Sequence, residues 1–295
     1  HGADHPDPVA PRPLPPLKKG DHVALFSPSS HLGEGSDGQL QAACEQLRAW
    51  GLRVDLPQVR RHLYLAGSDA ERAAEFQRLY LDPGIRALFA TRGGYGATRM
   101  LPLLDGPRIA AAPPKPVVGF SDLTALFCWL QQSANVQAIH GPCLAASGHL
   151  GSSLRAENSE SLRRLLFAPE ETRAFTVHAL SGTPELTHPL HGRLLGGCLS
   201  VLVGSLGSPW MPEFRGAILF LEDVEEPPYR IDRMLTHLHQ AGALQDLQAI
   251  VFGDLVWSGG KGDEHGGTKA HNAHNAHNAH NAQQAMQAMQ AMQAT

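Results

Sequence analysis

Pro116-Val117-Val118-Gly119-Phe120-Ser121-Asp122, followed at once by the apolar run Leu123 to Leu130, is the stretch on which the fold turns. Pro116 to Phe120 has the composition of a buried strand, and the run after Asp122 is a helix with no loop before it. Moving outward from this corner, the same rhythm recurs. His22 to Ser27 is a strand that breaks at Ser27-Pro28-Ser29-Ser30. Gln39 to Trp50 is helical, with Leu40, Ala43, Cys44 and Leu47 on one face, and Gly51 ends it before a strand over Leu52 to Leu56. Ser68 and Glu71 form a capping box for a helix running to Leu81, stopped by Asp82-Pro83-Gly84, and Ile85 to Ala90 is a further strand. Strand and helix in alternation predict a parallel sheet covered on both faces, of the flavodoxin/Rossmann type. Such sheets place their sites beyond the carboxyl ends of the strands. Three loops of unusual chemistry leave those ends: Ser27-Pro28-Ser29-Ser30, Arg92-Gly93-Gly94-Tyr95-Gly96 and Ser121-Asp122.

The texture changes after about residue 147. Extended pieces are expected over Ala174 to His178 and Glu185 to His188, then the small-residue stretch Leu195-Gly196-Gly197-Cys198-Leu199. Ala217 to Leu221 reads as a buried strand ending in Glu222-Asp223. Tyr229 to Ala241 is a helix with Ile231, Met234, Leu235 and Leu238 inward, and Ala249 to Phe252 is another strand. The expected organisation is a Pro-rich, disordered segment over 1–20, a nucleophile-bearing domain over 21–147, and a second, mixed α/β, β-rich domain over 148–267 that is incomplete. A low-complexity tail follows over 268–295, where His-Asn-Ala and then Gln-Ala-Met triplets repeat.

The bulk properties narrow the function. With 295 residues, a hydrophobic fraction of 42% and a formal net charge of -4, the chain is globular and lacks a basic footprint for nucleic acid. No apolar run is long enough to cross a bilayer, and the first 17 residues lack the apolar core of a signal peptide. Cys44, Cys128, Cys143 and Cys198 form no C-x-x-C pair, which argues against zinc or redox chemistry and for buried thiols in a reducing compartment. The tail histidines at 271, 274, 277 and 280 step by three residues, so on a helix they fan out rather than converge on a metal. No metal and no cofactor is expected.

Ser121 is the leading candidate for chemistry. A serine at a sharp strand-to-helix corner exposes its hydroxyl at the sheet edge, with the following N–H at the positive end of the helix. Acyl transfer needs both an exposed nucleophile and a donor for the oxyanion. The alternative is that Ser121 merely caps the helix, and the G-x-S-x-G pattern is incomplete because Leu123 stands at its second glycine. Gly93 and Gly94 supply either a second oxyanion donor, part of a phosphate cradle, or a plain tight turn. Glu222, at the end of a buried strand, can orient a histidine, although spacing does not choose it over Asp223, Glu225 or Glu226. His140, ahead of Gly141-Pro142, is placed near the same cleft, whereas His191, His237 and His239 read as structural or surface residues.

These residues carry a resemblance. Thr91-Arg92-Gly93-Gly94-Tyr95-Gly96-Ala97, Gly119-Phe120-Ser121-Asp122-Leu123-Thr124-Ala125-Leu126, His140-Gly141-Pro142 and the run Leu221 to Leu235 (LEDVEEPPYRIDRML) resemble, in order, the LD-carboxypeptidase family. The resemblance covers about Asp21 to Asp254. It implies a serine peptidase with a Ser-Glu-His triad that removes terminal D-alanine from cytoplasmic murein tetrapeptide by cutting an L-to-D peptide bond, as a homodimer without metal. Carried onto this sequence, it implies Ser121 as nucleophile, Glu222 as the histidine-orienting acid, and the Asp122 N–H with that of Gly93 or Gly94 as oxyanion donors. It also implies a histidine in a glycine-rich Gly-His segment some tens of residues after 249–252. Here that region is Trp257 to Gly267 and then the repeats; His265-Gly266-Gly267 comes early, and no histidine is assigned. Two other readings stand beside the murein peptidase: a microcin-immunity-type peptidase of the same family, and a catalytically dead peptide-binding homologue.

Overall fold

The computed structural model describes residues 10–145, 156–171, 174, 176–180 and 185–257. The chain divides into two units that meet at Arg173/Ala174. In the first, five parallel strands, β1 (His22–Phe26), β2 (Arg53–Asp55), β3 (Ile85–Ala90), β4 (Val117–Gly119) and β5 (Ile139–His140), pair in the order β2-β1-β3-β4-β5. This is the flavodoxin-like order, and its switch point falls between β1 and β3. The strands are connected through α1 (Ser36–Ala49), α2 (Asp69–Leu81), α3 (Ala97–Met100), a 3-10 turn over Leu101–Leu103, α4 (Gly106–Ala111) and α5 (Leu123–Ala134); α6 (Ala156–Phe167) follows.

Side-chain alternation divides the core between the sheet faces. Val23, Leu25, Ala87, Phe89 and Val118 pack with Ala43, Cys44 and Leu47 of α1 and with Leu162 and Leu166 of α6. Phe26, next along β1, meets Phe76 of α2 at 5.6 Å between ring centroids, and Phe76 meets Tyr80 at the same separation. The capping box is present as the sequence predicts: the Ser68 hydroxyl accepts from the Glu71 N–H at 3.3 Å, and the Glu71 carboxylate accepts from the Ser68 N–H at 2.8 Å. Gly51 closes α1 in a left-handed conformation, φ 89°, with its N–H on the Arg48 carbonyl.

Two boundaries fall elsewhere than the sequence predicts. The first unit runs past residue 147 because α6 inserts Leu162 and Leu166 into its core. Residues 10–20 are anchored where composition predicts disorder. The Arg12 guanidinium donates to the carbonyls of Ala110 and Ala112 at 2.7 and 2.8 Å, while Leu17 is buried with its N–H on the Leu166 carbonyl at 2.8 Å.

The second unit is also α/β. Its described sheet is parallel, β6 (Leu194–Cys198), β7 (Ile218–Val224) and β8 (Ala249–Val256) in the order β6-β7-β8, with α7 (Leu199–Val203) and α8 (Pro228–Gln240). Ile231, Leu235 and Leu238 of α8 are buried; Met234 is only half-buried. Residues 174, 176–178 and 185–188, expected as extended pieces, join no sheet. The small-residue stretch is β6 itself. A side chain on Gly196 would run into the Phe220 carbonyl at 1.9 Å, so glycine is what lets β6 lie against β7. The strand expected to stop at Leu221 continues to Val224, with a shift of register between Leu221 and Asp223 that brackets Glu222. The repeat tail and His265 lie outside the described residues.

Candidate active site

Ser121 occupies the corner between β4 and α5 with φ 61°. A side chain other than glycine is costly there, and such strain clusters where function requires a side chain to be thrown out of the chain path. The corner is tight. The Leu123 N–H bonds back to the Phe120 carbonyl at 3.3 Å and the Thr124 N–H to that of Ser121 at 2.9 Å. A Cβ on Gly119 would lie 2.8 Å from Leu123 Cγ and 3.1 Å from Ala90 Cβ, so glycine is what allows the helix to close down on the strand. Ser121 is half-buried.

The glycine loop after β3 lies against this serine. A Cβ on Gly93 would stand 3.1 Å from Ser121 Cβ and 3.3 Å from its Oγ, so the bare Gly93 backbone borders the Ser121 side chain. Gly94, at φ 106°, is pressed against the loop after β1: a side chain there would meet Ser30 Oγ at 2.4 Å. The Ser30 N–H donates to the Gly93 carbonyl at 3.3 Å, and the Tyr95 N–H donates to Ser30 Oγ at 3.2 Å. The three loops singled out in the sequence therefore converge, two of them at the switch point. Burial pushes the pKa of the nearby Cys143 thiol up to about 12.

Asp122 contributes its backbone at the N-terminus of α5, and its side chain joins the other two loops. Its carboxylate, 3% exposed, accepts from the Ser29 hydroxyl at 2.6 Å and from the Ala97 N–H at 2.8 Å. Burial raises its pKa, opposed by those two hydrogen bonds and by Arg72. Arg72 is a residue the sequence reasoning missed. It sits on the buried face of α2 with Phe76 and Leu79, and an arginine in that register is the available signal. His140 lies opposite Gly119 in the sheet, with its ring edge-on to Phe120 at 6.3 Å between centroids.

In the second unit, the structure distinguishes the four acids that spacing leaves equal. Asp223 is buried and occupied: it accepts from the Ser200 N–H at the start of α7 (2.8 Å), from the Cys198 thiol (3.7 Å) and from the Val224 N–H (2.9 Å). Glu225 is exposed, and Glu226 pairs with Arg230 at 3.2 Å. Glu222 is half-buried on β7, next to Gly253 of β8, where an added Cβ would come within 3.3 Å of it. Burial, then the charges of Asp223 and Asp254, push its pKa up to about 7. A carboxylate in such surroundings is stabilised by any cation or N–H donor brought to it. Among the described residues, no group of three or more His, Cys, Asp or Glu could hold a metal ion, and no helix is long and apolar enough to cross a membrane.

Known proteins resemble this chain along both of its units. The LD-carboxypeptidase N-terminal domain matches residues 23–141, and the LD-carboxypeptidase C-terminal domain matches residues 191–290. A Streptomyces coelicolor protein provisionally named a carboxypeptidase is 42% identical over 246 residues, covering 80% of this chain and 76% of its own. The murein tetrapeptide carboxypeptidase of Pseudomonas aeruginosa is 34% identical over 245 residues, 79% of this chain and 76% of its own. Among solved structures, MccF in complex with glutamyl sulfamoyl guanosine superposes with a TM-score of 0.72 at 26% identity, over 85% of this chain and 84% of that one. With both domains matched and the sheet order and corner in place, this chain belongs to the LD-carboxypeptidase family.

Proposed function

We propose that the protein is a serine peptidase that hydrolyses the L-to-D peptide bond of murein tetrapeptide, releasing terminal D-alanine in cytoplasmic peptidoglycan recycling, and that it works as a homodimer. The observation that carries the reading is Ser121 held at φ 61° between strand and helix, with the bare backbone of Gly93 against its side chain. Ser121 Oγ attacks the carbonyl carbon of the residue before D-alanine and gives its proton to a histidine oriented by Glu222. The carbonyl oxygen, now negative, is held by the Asp122 N–H and a glycine-loop N–H, that of Gly93 or Gly94. The C–N bond breaks, the histidine proton leaves on the D-alanine amine, and water then cleaves the ester to give the tripeptide and free serine. The segment where the resemblance places that histidine lies outside the described residues.

A second reading has its own observation. Tyr64 and Tyr95, both about half exposed, stand 6.0 Å apart between ring centroids, and the Tyr95 N–H is bonded to Ser30 beside Gly94. Such a pair can stack on a nucleobase, as an MccF-type substrate would require. Offering murein tetrapeptide and an aminoacyl sulfamoyl adenosine in competition separates the two. The murein reading expects tripeptide to form with the nucleotide left intact; preferential cleavage of the nucleotide replaces it with the second reading.

A further inference from the structure

We propose that the Asp122 side chain is a positioning residue for the Ser121 reaction: its carboxylate, together with Arg72, holds the three strand-end loops in the register that sets the Asp122 and glycine-loop N–H groups around one oxyanion. The inference rests on the serine-peptidase reading and adds to it a role for the side chain of a residue that reading uses only through its backbone.

The contacts form one connected clamp. A single carboxylate oxygen, Asp122 Oδ2, takes the Ser29 hydroxyl of the loop after β1 and the Ala97 N–H that follows the glycine loop after β3, while Asp122 itself is the residue after Ser121. Arg72 ties the same two loops from the other side. Its guanidinium donates to the carbonyls of Pro28 and Gly96, the latter at 2.6 Å, and to that of Gly67 at 3.4 Å, and it pairs with Asp69. Asp69 is held in turn by Arg99 just beyond the glycine loop, at 2.9 to 3.0 Å. Gly96 is part of the arrangement, since a Cβ there would stand 3.1 Å from the Arg72 guanidinium. Arg72 and Asp122 are both almost fully buried, at 1% and 3% exposure. Burying two charges and their partners is expensive unless each hydrogen bond is made, so this network has one low-energy arrangement of the loops and resists the small displacements that an oxyanion site does not tolerate. Asp122 Oδ2 is taken up by Ser29 and Ala97, and positioning is the role those contacts support.

The test uses the full chain, with Asp122→Ala, Asp122→Asn and Ser29→Ala, measuring kcat and KM on murein tetrapeptide, the labelling rate of Ser121 by a fluorophosphonate, and the melting temperature. Asp122→Ala keeps the backbone N–H and is expected to lower kcat and labelling by about a hundredfold with KM within about twofold of wild type, the size of effect seen when an oxyanion donor is lost. Asp122→Asn, which keeps an acceptor oxygen, is expected to recover at least about tenfold of that loss. Unchanged labelling in Asp122→Ala, or equal losses in the alanine and asparagine variants, overturns the proposal. If Asp122→Ala does not fold, Ser29→Ala decides, with a loss of about fivefold in kcat expected and wild-type kcat overturning it. A wild type that labels at Ser121 yet releases no tripeptide sinks the substrate reading alone and leaves the labelling comparison to judge the clamp. A wild type that does not label sinks the serine reading and the clamp with it.

Discussion

Ser121 and Glu222 each sit where the local backbone or field is unfavourable, and each does so in a measurable way. A serine at φ 61° costs about 1–3 kcal/mol relative to a relaxed conformation. Ser121→Gly, which removes that strain, is expected to raise stability by about 1 kcal/mol in a denaturant titration while abolishing hydrolysis. Loss of stability in that variant would mean that the corner is not strained. In the proposed mechanism Glu222 orients a histidine and must be ionised to do so, and its pKa is held up to about 7 by burial and then by Asp223 and Asp254. Activity is therefore expected to fall as pH drops through about 7, because the carboxylate is progressively protonated. Asp254 is exposed, and Asp254→Asn, which removes one of the repelling charges, is expected to move that acidic limb of kcat/KM to lower pH; a limb that stays in place would show that another group governs it. Ser121 was legible in the sequence because a corner without a loop is a one-dimensional pattern. The contact of Gly93 with Ser121, and the separate commitments of Asp223 and Glu226, were not, because they depend on residues brought together only by the sheet.

At the scale of elements, the helix over Asp69–Leu81 was legible almost to the residue, since its start is written locally in Ser68 and Glu71. Removing the hydroxyl with Ser68→Ala is expected to cost about 1 kcal/mol. The same helix carries the opposite sheet face through Phe76, wedged between Phe26 and Tyr80. Phe76→Ala is expected to cost about 3–5 kcal/mol by thermal or chemical melting, and a loss below about 1 kcal/mol would mean that this face is not a packed core. β7 was read too short because Glu222-Asp223 looks polar in sequence. The ladder nevertheless continues through both, with the register shift at Glu222 and the Asp223 carboxylate accepting from the Ser200 N–H in the first turn of α7. The Asp223 carboxylate is satisfied by neighbours that periodicity does not see.

For the whole molecule, alternation of strands and helices predicted a parallel α/β sheet, but the order β2-β1-β3-β4-β5 is a statement about pairing at long range that no local pattern carries. That order makes the convergence of the three loops intelligible: β1 and β3 flank the switch point, and β4 adds the serine beside them. The limits of the first unit were likewise hidden. The apolar residues of α6 read as the start of a new domain yet complete the old core, and the proline-rich segment before β1 is secured by Arg12 and Leu17 rather than by any regular structure. The most direct measurement is the release of free D-alanine from murein tetrapeptide by the full chain and by Ser121→Ala, with circular dichroism to show that both are folded. The proposed function predicts tripeptide and D-alanine in equal amounts from the wild type and a loss of about a thousandfold or more in the variant. D-alanine released by Ser121→Ala at the wild-type rate would contradict the assignment of the nucleophile.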